Sequence, residues 1–188
     1  MTTTTERAIS QRATTTWQVD PAHTTVGFSA KHLMITTVRG RFADVRGSIQ
    51  LDESDITRSA VDVEIATASI DTRAEQRDTH LRSADFFEVE KFPKITFRGR
   101  RIEKVGDDRY RLVGDLTIRD VTREVVMDVT DEGRGRDPWG GERASFSAST
   151  TIDRRDFGLT WNQALETGGV LVGNEIKISI DAQAVKKS

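Results

Sequence analysis

The sequence predicts a mainly antiparallel, all-β protein. Three observations predict it. Apolar and polar residues alternate at period two through most of the chain after Trp17, clusters of turn residues separate the alternating runs, and no run is followed by a helix of crossover length before the next strand.

In residues 23–32, Val26, Phe28 and Ala30 share one face of a strand while Thr25, Ser29 and Lys31 point away. Residues 39–51 carry Phe42, Val45, Ile49 and Leu51. The change of parity between Phe42 and Val45, with Gly40 and Gly47 close by, predicts a bulge or bend. Residues 59–70 show the cleanest alternation, Val61, Val63 and Ile65 against Asp62 and Glu64. Runs of the same kind follow at 95–98, 110–118, 125–129, 144–152 and 176–182. Turn residues at 106–108, around Pro138 and at 154–158 bring neighbouring runs within hairpin reach.

The alternation stops between Asp71 and Phe92. There Thr72-Arg73-Ala74-Glu75 has the form of a capping box, so a short helix is expected to about Arg82, with a second helical turn over 83–87 and Pro93 as its end. This insertion is expected to cover an edge or a mouth of the sheet. About eight strands of this length closed on themselves make a barrel wide enough for side chains or one slender ligand. A two-layer sandwich gives much the same alternation, and periodicity leaves both open.

Composition bounds the functions. A chain of 188 residues has the size of one domain, expected at 16–186 behind a Thr-rich, disordered tail over 1–15. A formal charge of −2 with 31% charged residues indicates neither a basic nucleic-acid binder nor an acidic solvating protein. The absence of cysteine excludes disulfides, thiolate metal sites and a thiol nucleophile. No stretch reaches the roughly 18 apolar residues of a membrane span, and residues 1–15 contain no signal-peptide core, so a soluble, cytoplasmic protein is expected.

Four ordered segments carry a family resemblance: VDPAHTTVGFSAKHLMITTVRGRF (19–42), HLRSADFFEVEKFPKITF (80–97), GDLTIRDVTREVVMDV (114–129) and RRDFGLTWNQALETGGVLVGNEIKISI (154–180). From Trp17 to nearly the C-terminus the chain resembles the YceI-like family of polyisoprenoid-binding proteins. The resemblance implies an extended, lipocalin-like, eight-stranded barrel whose apolar lumen holds an isoprenoid chain or a similar amphiphile. It also implies a bound lipid rather than a cofactor.

The inward set expected to meet that lipid is Phe28, Phe42, Val63, Ile65, Phe97, Leu116, Met127, Phe146 and Ile178. Taken singly, each is an ordinary core residue, and the resemblance is what assigns them to a ligand. At roughly 0.8 kcal/mol per buried CH₂, a five-carbon unit contributes about 3 to 4 kcal/mol, so a few units offset an association cost of about 4 to 15 kcal/mol.

For a polar head, His32, His80, Arg82 and Asp85 flank apolar residues near the insertion. His80 and Arg82 serve equally well as pairing groups within it. Trp161 is placed with the ligand-binding residues and is expected to be largely buried in a connection that plugs or walls the barrel, with a partner for its indole N–H. His23 and His32, nine residues apart, fall on opposite strand faces, which disfavours a metal site.

No nucleophile elbow or phosphate-binding glycine motif is present, and no catalytic residue is assigned. Arg98, Arg100, Arg101, Arg154 and Arg155 read as a solvated outer face rather than a nucleic-acid surface. The leading expectation is a carrier of an isoprenoid, quinone precursor or fatty-acid-like molecule, with homodimerisation expected on the general prevalence of dimers. Its rivals are an enzyme using His32 or His80 on a hydrophobic substrate, and a stress-response module with a filled interior.

Overall fold

The computed structural model describes residues 13–188. Residues 1–12, most of the expected tail, lie outside the described residues. Strand β1 (Thr14–Val19) starts two residues inside that tail, where Thr14 and Thr15 pair with Asp52 and Leu51.

The strands that follow are β2 (Thr25–His32), β3 (Thr36–Phe42), β4 (Val45–Asp52), β5 (Ala60–Ala66) and β6 (Ile70–Asp71). After helix α1 (Glu75–Arg82) come β7 (Lys94–Lys104), β8 (Arg109–Ile118), β9 (Val121–Arg136), β10 (Glu142–Asp153) and β11 (Val172–Lys186). Three pairs are single paths bent by a short break. Pro21, without an N–H, opens the one-turn break between β1 and β2. The break between β3 and β4 falls at Ala43 and Asp44, where the side-chain parity changes. The Ala43 N–H donates to the Ser69 carbonyl at 3.2 Å and the Ala66 N–H to the Asp44 carbonyl at 3.0 Å, so adjacent bends are laced together.

Counted by these paths the wall has eight strands, every neighbour antiparallel. The ring β1-β4-β5-β7-β8-β9-β10-β11 closes when Trp17, Gln18 and Val19 of β1 pair with Lys186, Val185 and Ala184 of β11. The earlier residues of β11 pair with β2 instead, and β3 and β6 continue the wall from there. Closure settles the choice between barrel and sandwich, and it removes the sheet edges that a sandwich would leave.

Three strands clearly outrun their alternating cores: β7 extends to Lys104, β9 to Arg136, and β11 spans Val172–Lys186. The outer end of β9 carries polar residues and glycine on both faces, and in β7 a register shift between Gly99 and Arg101 interrupts the parity before Ile102, so the ladder continues where the hydrophobic period is lost. Helix α1 has the expected limits but a different cap. Arg73 takes a left-handed φ of 62°, which puts Thr72 outside the first turn, and Ala74 is a cap without a side-chain bond. Buried Asp78 reaches back instead, accepting from the Thr72 N–H at 2.9 Å and the Thr72 hydroxyl at 2.5 Å. Residues 83–87 form a single hydrogen-bonded turn that does not extend into a helix, with the Phe86 N–H donating to the Ser83 carbonyl at 3.0 Å.

Candidate ligand-binding lumen

Because the side-chain period of a strand is two, one face of every strand in a closed barrel points inward, and here that face is aliphatic and aromatic. It does not fill the interior. A cavity of about 300 Å³ runs from Leu51, Ile56 and Phe146 at one end to Leu81, Phe86 and Leu159 at the other. That volume lies at the lower end of the range for small-molecule sites, roughly 300 to 1,000 Å³.

All nine residues of the expected inward set line this cavity: Phe28, Phe42, Val63, Ile65, Phe97, Leu116, Met127, Phe146 and Ile178. Two glycines shape the wall around them. Gly40 sits directly opposite Phe28 in the β2–β3 ladder, and a Cβ there would overlap the Phe28 ring. Gly114 of β8 leaves the same room for the ring of Phe97. Each aromatic ring therefore lies on bare backbone, and the lumen keeps its width beside it.

The polar residues considered for a ligand head stand elsewhere. His32 ends β2, and none of His32, His80, Arg82 and Asp85 is on the cavity wall. The Arg82 guanidinium donates to the carbonyls of Ala68 and Ile70, both at 3.0 Å, and so ties α1 to the bend between β5 and β6. His80 shares a 2.8 Å hydrogen bond with Asp85, and its ring packs edge-on against Phe86 and Trp161. Trp161 departs from expectation. It is half-buried and off the cavity wall, its indole N–H has no hydrogen-bond partner among the described residues, and its ring packs edge-on to His80 and tilted against Phe86. Among the described residues no group of three or more metal-ligating side chains is gathered in one place.

Four of the five arginines read as outer-face residues are exposed and paired: Arg98 with Asp62 at 3.1 Å, Arg100 with Asp115 at 2.9 Å, Arg101 with Glu103 at 2.8 Å and Arg155 with Asp153 at 2.6 Å. Arg154 is the correction. It is 4% exposed and lines the cavity. The one-turn helix at Arg154–Phe157 turns it inward as Arg155 turns out, a local reversal that strand parity does not reveal.

Its Nε donates to the Gly173 carbonyl at 3.0 Å, and Nη1 donates to the carbonyls of Leu159 at 2.7 Å and Trp161 at 2.9 Å. Burial pushes its pKa below the ordinary arginine value, and the nearby Asp153 carboxylate opposes that shift. The guanidinium stays charged regardless. Other wall residues that the alternation missed include Leu81, Phe86, Phe87 and Leu159, together with Ile56, Ile102 and Val172. The Phe86-Phe87 pair inside an otherwise polar segment was the available signal.

The YceI-like domain family matches residues 17–184. A UPF0312 protein of Staphylococcus epidermidis is 38% identical over 170 residues, covering 90% of this chain and 96% of the relative. Among solved structures, the YCEI protein of Campylobacter jejuni aligns with a TM-score of 0.72 at 32% identity, over 84% of this chain and 90% of that one. A polyisoprenoid-binding domain from Saccharophagus degradans, implicated in plant cell wall breakdown, shares the fold at a TM-score of 0.70 and 12% identity, over 91% and 98%. Sequence, barrel and lumen agree, and the chain belongs to the YceI-like family.

Proposed function

We propose that this protein binds a single hydrophobic molecule in the barrel lumen and carries it, the cargo being an isoprenoid, a quinone precursor or a fatty-acid-like amphiphile. One observation carries the reading: a closed barrel encloses a cavity of about 300 Å³ with an almost wholly apolar wall. An apolar cavity of this size offers a chain-like ligand dispersion contacts and hydrophobic burial. The polyisoprenoid-binding description of the Saccharophagus degradans domain gives the same class of cargo to a related fold.

Binding rather than catalysis is the reading that the wall supports. No carboxylate or imidazole of the described residues lines the cavity, and its titratable side chains are Tyr110 and Arg154. The unfilled space favours a carrier over a barrel packed by its own side chains. Among the described residues no helix is long and apolar enough to cross a membrane. Cytoplasmic residence and a homodimer extend the proposal, to be tested by cell fractionation and light scattering.

The direct test is mass spectrometry of an organic extract from freshly purified, denatured protein, beside a Phe28→Glu variant and an unrelated barrel. A lipid retained by the wild type and lost from the variant is the expected result. An extract indistinguishable from that of the unrelated barrel would overturn the reading.

A further inference from the structure

Three consecutive apolar side chains stand in water at the tip between β2 and β3: Leu33 is 40% exposed, Met34 61% and Ile35 80%. Their backbone is unfavourable as well. The Ile35 N–H closes the turn on the His32 carbonyl at 3.2 Å, and the two central residues, Leu33 and Met34, take left-handed φ values of 53° and 63°. Asn and Gly adopt such a turn at little cost, whereas a bulky apolar residue is strained there. The same tip therefore carries two separate costs, exposure and strain. A run of exposed apolar residues that stability does not explain marks an interaction site.

The surroundings point to what covers it. The Leu33 N–H donates to the Leu171 carbonyl at 2.9 Å, and a Cβ on Gly169 would run into the Met34 sulfur. The tip thus rests on the 158–171 connection, at the end of the barrel where Leu81, Phe86 and Leu159 close the lumen. Behind it the outer wall is basic. By strand rise, Lys31 lies roughly 7 Å back from Leu33, and Arg39 and Lys177, on either side of Ser29, lie roughly 13 Å back from Ile35. Lys31 bonds to the Thr37 hydroxyl, and none of the three cations forms an ion pair among the described residues. Glu166 and Glu175 are exposed on the connection and on β11 and offset part of this charge. An apolar tip with cations behind it matches the depth order of a bilayer surface, where acyl chains lie under a headgroup layer roughly 5 to 8 Å thick. Trp139, 87% exposed on the β9–β10 hairpin at the opposite end, is an isolated apolar residue of the kind ordinary surfaces carry.

We infer that the Leu33-Met34-Ile35 tip is a membrane-docking loop that inserts into the surface of a bilayer containing anionic lipid, with Lys31, Arg39 and Lys177 facing its headgroups. The apolar tip supplies most of the attraction, and the cations set the preference for anionic lipid. This goes beyond the carrier reading and needs no cargo to be tested.

Flotation with vesicles of phosphatidylcholine, with and without phosphatidylglycerol, tests it. Wild-type protein should float with the mixed vesicles and bind pure phosphatidylcholine several-fold more weakly. Leu33→Asn combined with Met34→Gly should weaken binding at least roughly tenfold, since two apolar side chains no longer enter the bilayer, and should leave the melting temperature unchanged or higher because the turn is relieved. Lys31→Gln combined with Lys177→Gln should reduce the preference for phosphatidylglycerol and leave binding to pure phosphatidylcholine as it was. Because the chain has no cysteine, Ile35→Cys and Trp139→Cys each provide a single site for an environment-sensitive dye. The dye at position 35 should shift to the blue on the mixed vesicles, and the dye at position 139 should not.

Wild-type protein that stays in the buffer, a Leu33→Asn, Met34→Gly variant that floats as well as the wild type, or a blue shift at position 139 in place of position 35 would overturn the proposal. So would wild-type protein that ignores vesicles and self-associates until those two substitutions make it monomeric, which would assign the tip to a second copy of this chain. These outcomes leave carriage in the lumen untouched, and a lumen without lipid leaves vesicle binding untouched.

Discussion

The two ends of the barrel are closed in different ways. At one end the closure is strand-borne: Trp17, Leu51, Ala144 and Ala184 are all buried, come from four paired strands, and pack with Ile49, Ile56 and Phe146. The guanidinium of Arg134 lies 5.4 Å from the Trp17 ring and 5.8 Å from the Phe146 ring, sealing the cluster with a cation held over aromatic faces. At the other end the closure is made by segments outside the ladders. Leu81, Phe86, Phe87 and Leu159 come from α1 and the connections at 83–92 and 158–171, and the outermost aromatic, Trp161, is half-buried.

Opening the first end breaks ladder hydrogen bonds, whereas opening the second needs only local movement of loops. On the carrier reading proposed above, the strand-borne end is the base and the loop-closed end is the one expected to admit a ligand.

The largest effect should come from the base. Trp17→Ala removes a side chain that is 1% exposed and should cost about 3 to 5 kcal/mol in urea unfolding, with little change in the exchange rate of bound lipid. Next is the wall between the ends. Gly114→Ala must displace both the Phe97 ring and the Arg98 carbonyl of the paired strand, so a loss of about 1 to 3 kcal/mol and weaker lipid binding are expected by denaturation and titration.

Trp161→Ala should reverse the pattern of Trp17→Ala. A loss near 1 kcal/mol should accompany several-fold faster lipid release in stopped-flow exchange, since the ring packs on the loop-closed end without anchoring a strand. Equal effects of the two tryptophans on release would break the comparison.

The smallest effect is on acid stability. Asp153 caps the turn that aims Arg154 inward, and its carboxyl is held at about 2 by hydrogen bonds from the Arg155 side chain and N–H. Its ordinary value is 3.8, so this contribution is full above that pH and is lost as the pH falls toward about 2. With the side chain 34% exposed, solvent screening reduces it to about 1 kcal/mol. Asp153→Asn should flatten that part of the acid unfolding curve and leave stability at pH 7 lower by about the same amount.

The lumen wall was readable in the sequence because strand parity is a local property. Val61, Val63 and Ile65 declare their face within five residues, and all three line the cavity. The bend at Ala43 and Asp44 was readable for the same reason, as a break in parity. What stayed hidden depends on contacts made after the chain has closed. Arg154 looks like Arg155 in sequence, and only a one-turn helix sends one inward and the other outward. The cap of α1 was misread because Asp78, four residues past Ala74, competes with the nearer Thr72–Glu75 pairing and wins once it is buried. Strand ends such as 132–136 were lost because polar residues on both faces erase the period while leaving the backbone pairing intact.

The central claim is that the lumen is a binding space. Native mass spectrometry of the intact protein as purified, beside Ala148→Trp, tests it most directly, because Ala148 lines the cavity and an indole there would occupy it. The account predicts one lipid-sized adduct per chain on the wild type and none on a variant that keeps its folded β spectrum. An adduct that persists in the filled variant, or wild-type protein that carries none and takes up no added farnesol, would contradict it.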